Sequence, residues 1–527
     1  MNAPHCDVGI VGFGPVGQVA ANLLGQRGYR VGVFEVATSI YNLPRAAHFD
    51  AEIMRIFQSI GLAQAVLPAC AQIKGMDFLS ADGERLFGFK APERLTVNGW
   101  PAGYLFYQPD LEKALQAGVQ RFLNVEVFGG HEVLAIDQTP DCVSVRVRDL
   151  ATGGERTATA DWFWGCDGAR SIARKSAGIE LEDLQFDQPW LVIDTVLKRD
   201  VDLPELAQQI CDPARPTTFI PSAGRHRRWE FMLMPGEDPH EIERPGSYWP
   251  LLAPWVTPDD AEVIRAVVYS FHALIAKGYR DRRLFILGDA AHQMPPFLGQ
   301  GMCSGIRDAH NLVWKLDLVR AGLASDALLN SYYEERAPHV REIITRAVTA
   351  GHIIQTTDPE VAARRDAMFL AAEKREATAG EADDEPLKAQ MPGLKSGVLA
   401  SGSPAGELFP QPIVEIAGTT LRLDDAYGGG WAVVAGRDAS ALFSADVREA
   451  WSFIGPRFVE IGGSAAGEWV AAAESDAILT KWLVRHGACV VRPDLYVYGT
   501  ARTADDLVWL AISLRSQLGE PLALEAR

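Results

Sequence analysis

A chain of 527 residues is too long for one hydrophobic core and implies roughly two to four domains. With 48% hydrophobic and 22% charged residues it reads as an ordinary globular protein, and a net charge of -18 with no basic run to offset it excludes a nucleic-acid partner. Seven scattered cysteines without a C-x-x-C fit reduced thiols in the cytoplasm, and neither a secretion signal nor an apolar run of about 18 residues is present.

The first element is "DVGIVGFGPVGQVAANLLGQRGYRVGVFE". A buried strand leads into Gly12, Gly14, Pro15 and Gly17, then a helix, then a second strand ending in Glu35. Gly12 permits the tight turn, Gly14 lets the backbone approach a pyrophosphate, and Gly17 allows close packing of helix on strand. Glu35 is placed to bond a ribose hydroxyl, so the unit reads as a dinucleotide site. Next, "LPRAAHFDAEIMRIFQSIGL" puts Arg45 just before an amphipathic helix carrying Ile53, Ile56, Phe57 and Ile60. "YQPDLEKAL" brings Gln108 to a helix entry, and "WFWGCDGARSIARKSAGI" sets Asp167-Gly168 at the end of another apolar strand.

From 181 to 274, "QPWLVIDTVLKRD", "RPTTFIPSAGRHRRWEFMLMPG" and "EVIRAVVYSFHALIAKGY" alternate like strands and predict an antiparallel sheet roofing a cavity. Then "RLFILGDAAHQMPPFLGQGMCSGIRDAHNLVWKL" gives a strand, Asp289, a proline-rich turn and a helix start. Backbone N–H groups at such a turn, with the positive end of the helix dipole, form an anion site. Residues 359 to 390 read as a charged helix and an exposed linker. From about 405 a separate α/β unit begins, with "TTLRLDDAYGGGWAVVAG" and "ACVVRPDLYVYG" as strands.

The order G-x-G-x-x-G, Arg45, Asp167-Gly168, Gly288-Asp289 resembles the class A FAD-dependent aromatic monooxygenases over residues 7 to 355, the family of para-hydroxybenzoate and phenol hydroxylases. "FMLMPGE", "SGIRDAHNLVWKL" and "YYEERAPH" extend the likeness toward the 3-(3-hydroxyphenyl)propionate hydroxylases. The resemblance implies an α/β fold: a discontinuous Rossmann-like FAD domain (1–180 and 275–355), an inserted antiparallel-sheet substrate domain (181–274), a helix and linker (356–404) and a thioredoxin-like C-terminal domain (405–527). It also implies FAD, NADH or NADPH as transient co-substrate, O2, and a small aromatic substrate hydroxylated through a flavin C4a-hydroperoxide. On this reading Arg45, Gln108 and Asp167 join the first turn on the cofactor. Asp289, Pro296, Gly299, Gln300, Gly301 and Met302 then hold its flavin end, and His292 is structural. The second turn is thus the far end of the site opened by the first.

Catalytic candidates are fewer. Phenol hydroxylase relatives carry an Asp where Ala47 stands, and here an imidazole, His48, is next door. It can titrate near neutral pH and act as a general base, or simply pack beside the flavin. Asp50 is a second candidate, and Tyr269 and His272 are candidates for the cavity wall. The tail lacks C-x-x-C, so packing or a homodimer contact is expected of it. Two alternatives stay open: an FAD oxidoreductase without oxygen insertion, and a non-catalytic nucleotide-binding protein.

Overall fold

The computed structural model describes residues 5–40, 44–379, 391–437, 439–463 and 469–519. The end of the linker at 380–390 lies outside the described residues. The first sheet runs in the order Arg280–Asp281, Leu284–Ile286, Glu155–Gly165, Cys6–Val11, Val31–Glu35, Val125–Gly129. The strands from Leu284–Ile286 to Val125–Gly129 are parallel. Apolar runs such as "VGIV" are buried on both faces, as parallel sheets require. Chain order reverses at Cys6–Val11, because the following strand lies on one side and the much later ones on the other. Its carboxyl end is therefore the switch point where such sheets take ligands.

A second, eight-stranded sheet runs in the order His292–Gln293, Ala261–Ala276, Leu181–Leu197, His226–Met232, Thr217–Ile220, Ala207–Ile210, Gly75–Leu79, Arg85–Lys90. The last two strands come from the first segment, so this sheet is broader than residues 181–274. Its two long strands pair antiparallel from Leu181↔Ala276 to Leu197↔Ala261. Leu191, Ile193, Phe219, Trp229 and Phe231 face out and pack with Ile242, Tyr248 and Leu252 of the short helices Pro239–Ile242 and Pro245–Leu252. By alternation, Trp190, Asp194, Arg228, Glu230, Arg265, Tyr269 and Phe271 share the inward face, toward the first domain.

Two long helices, Gly301–Arg320 and Ser331–Ile354, support the first sheet. The C-terminal unit is a seven-stranded sheet ordered Thr419–Arg422, Ile413–Ile416, Val470–Glu474, Arg457–Ile461, Ala432–Ala435, Ala488–Val491, Val497–Ala501. It is backed by the helix Ala504–Leu518, whose N-terminus is closed by a capping box of Thr503 and Asp506. No helix among the described residues is long and apolar enough to cross a membrane.

Candidate active site

Two helices point uncapped N-termini at one region. The helix Pro15–Gln26 starts at Gly14 and the helix Gly301–Arg320 at Gln300, both without a side-chain cap. Their free N–H groups suit an anion. At the first, Gly12 takes φ +93° and a Cβ there would fall 2.4 Å from the Cys166 carbonyl oxygen. A Cβ on Gly17 would strike the Gly12 carbonyl oxygen at 2.1 Å. Gly14 is open by contrast, with only the Arg45 guanidinium 3.8 Å from such a Cβ. That pocket of N–H groups beneath an arginine fits a pyrophosphate. The Glu35 carboxylate accepts the Phe13 N–H (2.6 Å) and the Ala37 N–H (2.8 Å), which fixes it at the strand end with lone pairs left for a ribose.

Gln108 and Asp167 spend their side chains on the protein beside the first turn, a Cβ on Gly12 falling 2.9 Å from the Asp167 Cα. Gln108 Oε1 accepts the N–H groups of Arg45 and Ala46, both at 2.8 Å, so it positions the arginine segment. Its Nε2 donates to Glu112 at 2.6 Å. Asp167 turns into the protein: it accepts the Ser171 hydroxyl (2.6 Å) and the Ala173 N–H (3.1 Å), capping the helix Ile172–Ser176. Burial pushes its carboxyl above the ordinary range, against those bonds. Behind it, Arg174 donates to the Ala290 carbonyl at 3.0 Å and braces the second turn.

That turn is buried from Leu284 to His292 except at Asp289, whose carboxylate is exposed. Gly288, at φ +60°, touches the helix Gly301–Arg320 through Gly305, where a Cβ would lie 2.8 Å from the Gly288 Cα. Asp308 anchors the crossing: it accepts from the Gly288 N–H (3.1 Å), His292 Nε2 (2.7 Å) and Arg336 Nε (2.9 Å). Pro296 opens a short 3-10 turn that ends at Gly299, at φ +63°. Gln300 follows buried, and Gly301 and Met302 begin the helix half-buried.

His48 lies against this turn, in the strand His48–Asp50. A Cβ on Gly299 would fall 2.9 Å from its Nδ1, and one on Gly103 2.6 Å from its Nε2, so glycine at both positions makes room for the ring. Burial lowers its pKa from the ordinary histidine value, opposed by Asp50 and by a hydrogen bond with the Gly299 backbone. Asp50 is fully engaged. Oδ1 caps the helix Ala51–Ser59 through the Glu52 and Ile53 N–H groups, and Oδ2 accepts from Gln300 Nε2 (3.0 Å) and Arg307 Nη2 (2.6 Å). Burial alone would raise its pKa, but Arg307 holds the carboxyl below the usual range.

Tyr269 is on the inward face of the substrate sheet, about one-third exposed, with the Arg265 guanidinium 4.8 Å from its ring centre. His272 is not part of the site: it projects from the opposite face, exposed, 3.7 Å from Asp187. Trp190, Phe271 and Phe297 form an aromatic wall between sheet and turn, with ring centres 5.7 to 6.2 Å apart. Beside it is a buried ionic layer that the sequence reading missed. Arg228 Nε donates to Asp194 at 2.8 Å, Nη1 to the Arg45 carbonyl at 2.8 Å and Nη2 to the Pro44 carbonyl at 3.1 Å. Arg265 also donates to the Pro44 carbonyl and stands 3.6 Å from Asp194. Burial raises the Glu230 pKa, partly countered by Arg228. The only sequence signal was charge at every second position of "RRWEFM", a pattern that ordinarily marks a solvent face.

Residues 5–347 match a family described as FAD binding domain, and 406–511 one described as HcaD C-terminal domain. A protein of Rhodococcus jostii (strain RHA1) named "Probable NADH-specific resorcinol 4-hydroxylase" is 41% identical, over 96% of this chain and 94% of its own. The 3-(3-hydroxy-phenyl)propionate/3-hydroxycinnamic acid hydroxylase of Burkholderia cenocepacia (strain HI2424) is 35% identical, over 94% of each. Among solved structures, the flavin-dependent monooxygenase PieE in complex with FAD and substrate shares the fold, with a TM-score of 0.81 at 21% identity over 99% of this chain and 100% of that one. With a family match over most of its length, relatives aligned nearly end to end and two uncapped helix termini shaped for one long anionic cofactor, the chain belongs to the FAD-binding-domain family of aromatic hydroxylases and is an FAD-dependent monooxygenase drawing electrons from NAD(P)H.

Proposed function

We propose that this enzyme hydroxylates a small neutral phenol of the resorcinol type, with NADH as reductant, rather than an aromatic acid. The observation that carries this reading is the commitment of Arg228 and Arg265. Both inward-facing arginines of the substrate sheet are bound to Asp194 and to the carbonyls of Pro44 and Arg45. A substrate carboxylate would have to break a buried ion pair, which costs several kcal/mol by the usual penalty of about 3–5. A phenol needs only hydroxyl partners. The name of the Rhodococcus relative agrees.

Bound FAD supplies electron transfer from NAD(P)H and the activation of O2. The chain's own residues do the rest. Gly14 and Arg45 hold the pyrophosphate, Glu35 the ribose, and Asp289 the chain between the two ends. The N–H groups after Gly299 would hold the flavin end of the cofactor, where fixed donors favour the anionic reduced form. Trp190, Phe271 and Phe297 exclude water. His48 accepts the phenolic proton: its lowered pKa leaves it neutral at pH 7, whereas both oxygens of Asp50 are occupied. Free thiols at all seven cysteines favour a cytoplasmic setting, where reduced nicotinamide is at hand.

The test compares resorcinol with 3-(3-hydroxyphenyl)propionate for stimulated NADH oxidation and for a product heavier by one oxygen. Resorcinol is expected to couple. Coupled turnover of the acid alone would overturn the neutral-phenol reading. His48→Ala is expected to retain FAD but lose product formation by about 10²-fold or more, the usual worth of a general base, with NADH diverted to hydrogen peroxide. Wild-type product per NADH in that variant across pH 6 to 9 (roughly the imidazole range) would make His48 a packing residue.

A further inference from the structure

We propose that Tyr496, in the C-terminal domain, is a positioning residue for the flavin-facing turn at Gly299–Met302. This rests on the reading of that turn given above. Tyr496 ends a tight hairpin between Ala488–Val491 and Val497–Ala501, closed by the Leu495 N–H on the Arg492 carbonyl (3.0 Å) and the Arg492 N–H on the Tyr496 carbonyl (2.9 Å). Leu495 has φ +75°, a conformation a leucine adopts only where its surroundings impose it.

The surroundings are three polar side chains driven into the FAD domain. Arg492 pairs with Asp494 (2.6 Å) and with Glu335 (2.7 Å), and Asp494 accepts from Asn311 (2.8 Å). Those contacts dock the domain, together with the bidentate Arg55–Asp424 pair and apolar packing of Trp314 and Leu318 on Trp431 and Tyr498. The Tyr496 hydroxyl does something else. It donates to Glu52 Oε1 at 2.9 Å, and Glu52 Oε2 accepts from Arg307 Nε at 2.6 Å. Arg307 in turn donates through Nη1 to Gln300 Oε1 (2.9 Å) and through Nη2 to Asp50 (2.6 Å), and Gln300 Nε2 closes the ring on Asp50 (3.0 Å). All of these groups are buried or nearly so, and every link is 3.0 Å or less.

The hydroxyl fixes the Glu52 carboxylate, Glu52 fixes the Arg307 fork, and Arg307 orients the Gln300 side chain at the N-cap of the helix Gly301–Arg320. Loss of the hydroxyl loosens that N-cap, so the helix N-terminus holds the anionic reduced flavin less firmly.

The experiment measures the two-electron potential of bound FAD in full-length holoenzyme, alongside FAD content and product per NADH. Tyr496→Phe removes one hydrogen bond, worth about a 2- to 10-fold change. The potential is expected to fall, by about 30 mV for a tenfold loss, with KM for the aromatic substrate unchanged. Tyr498→Phe, in the next strand and away from Glu52, is the control. Gln300→Ala is run beside them. A shift in Gln300→Ala with none in Tyr496→Phe overturns this proposal alone, and so does an equal shift in Tyr498→Phe. No shift in either Gln300→Ala or Tyr496→Phe overturns the reading of the turn as well. If Tyr496→Phe fails to fold, Glu52→Gln keeps an acceptor for the hydroxyl while removing the charge facing Arg307. A lowered potential there supports the chain of contacts, and a wild-type value overturns it.

Discussion

Asp308 makes no contact that a motif would announce, yet it ties the Gly288 N–H, His292 and Arg336 into one buried knot. Burial alone would raise its pKa, and its partners His292 and Arg336 hold it below the ordinary range. Asp308→Asn keeps the shape but leaves Arg336 buried without its counter-charge. The expected cost is about 3–5 kcal/mol, the usual result of breaking a buried pair, seen as a lower urea midpoint and faster FAD release. At this scale the sequence was legible where a residue's role is set by its own backbone, as at Gly12, Gly17 and Gly299. It was not legible where the role depends on which distant group a side chain meets. The Asp167 carboxylate was expected on the cofactor, and its bonds to the helix Ile172–Ser176 could not be read from sequence, because both uses demand an acid after a strand. His272 was placed near the cavity, but alternation along its own strand from the inward-facing Tyr269 and Phe271 turns it outward.

Among elements, three segments cross in close contact at Gly288, Gly305 and Val16. A Cβ on Gly305 would fall 2.6 Å from a Val16 methyl and 2.8 Å from the Gly288 Cα. Gly305→Ala therefore pushes apart the turn at Gly12–Gly17 and the turn at Gly288 together. Overpacking costs about 1–3 kcal/mol, of which the better helix propensity of alanine returns up to ~1. Both a lower thermal midpoint and weaker FAD fluorescence quenching are expected, whereas Gly178→Ala, in open space, should not affect FAD. The two glycine turns, at Gly12–Gly17 and Gly288–Met302, were readable from sequence because each joins a strand to a helix. The eight-stranded sheet was only partly readable, since Gly75–Leu79 joins Ala207–Ile210 in parallel across a long stretch of chain. Its ionic layer was hidden by its own alternation, because Arg228 and Glu230 beside Trp229 and Phe231 look like a wet face over a dry one.

For the molecule as a whole, pH enters through buried imidazoles. His48, His226, His310 and His339 all have pKa values lowered mainly by burial, that of His310 to about 4 between Asp494, Arg27 and Arg55. The unfolded chain takes up these protons near pH 6.5, while the folded chain resists. Their contribution is thus complete above about 6.5 and is lost as pH falls toward 4, with His310 alone worth about 3 kcal/mol. Urea midpoints should be level from pH 7 to 8 and fall steeply between 6.5 and 5. His310→Gln should flatten part of that fall. A midpoint independent of pH over this range would show that these rings are solvated.

The hydroxyl of Tyr496 and the carboxylate it meets are 444 positions apart in the chain, and Arg55 and Asp424 are 369 apart. Contacts that far apart close late. A ribosome must therefore deliver nearly the whole polypeptide before the Glu52–Arg307–Gln300 network acquires its last contact, so a nascent chain stopped short of Tyr496 has both glycine turns present and that contact missing.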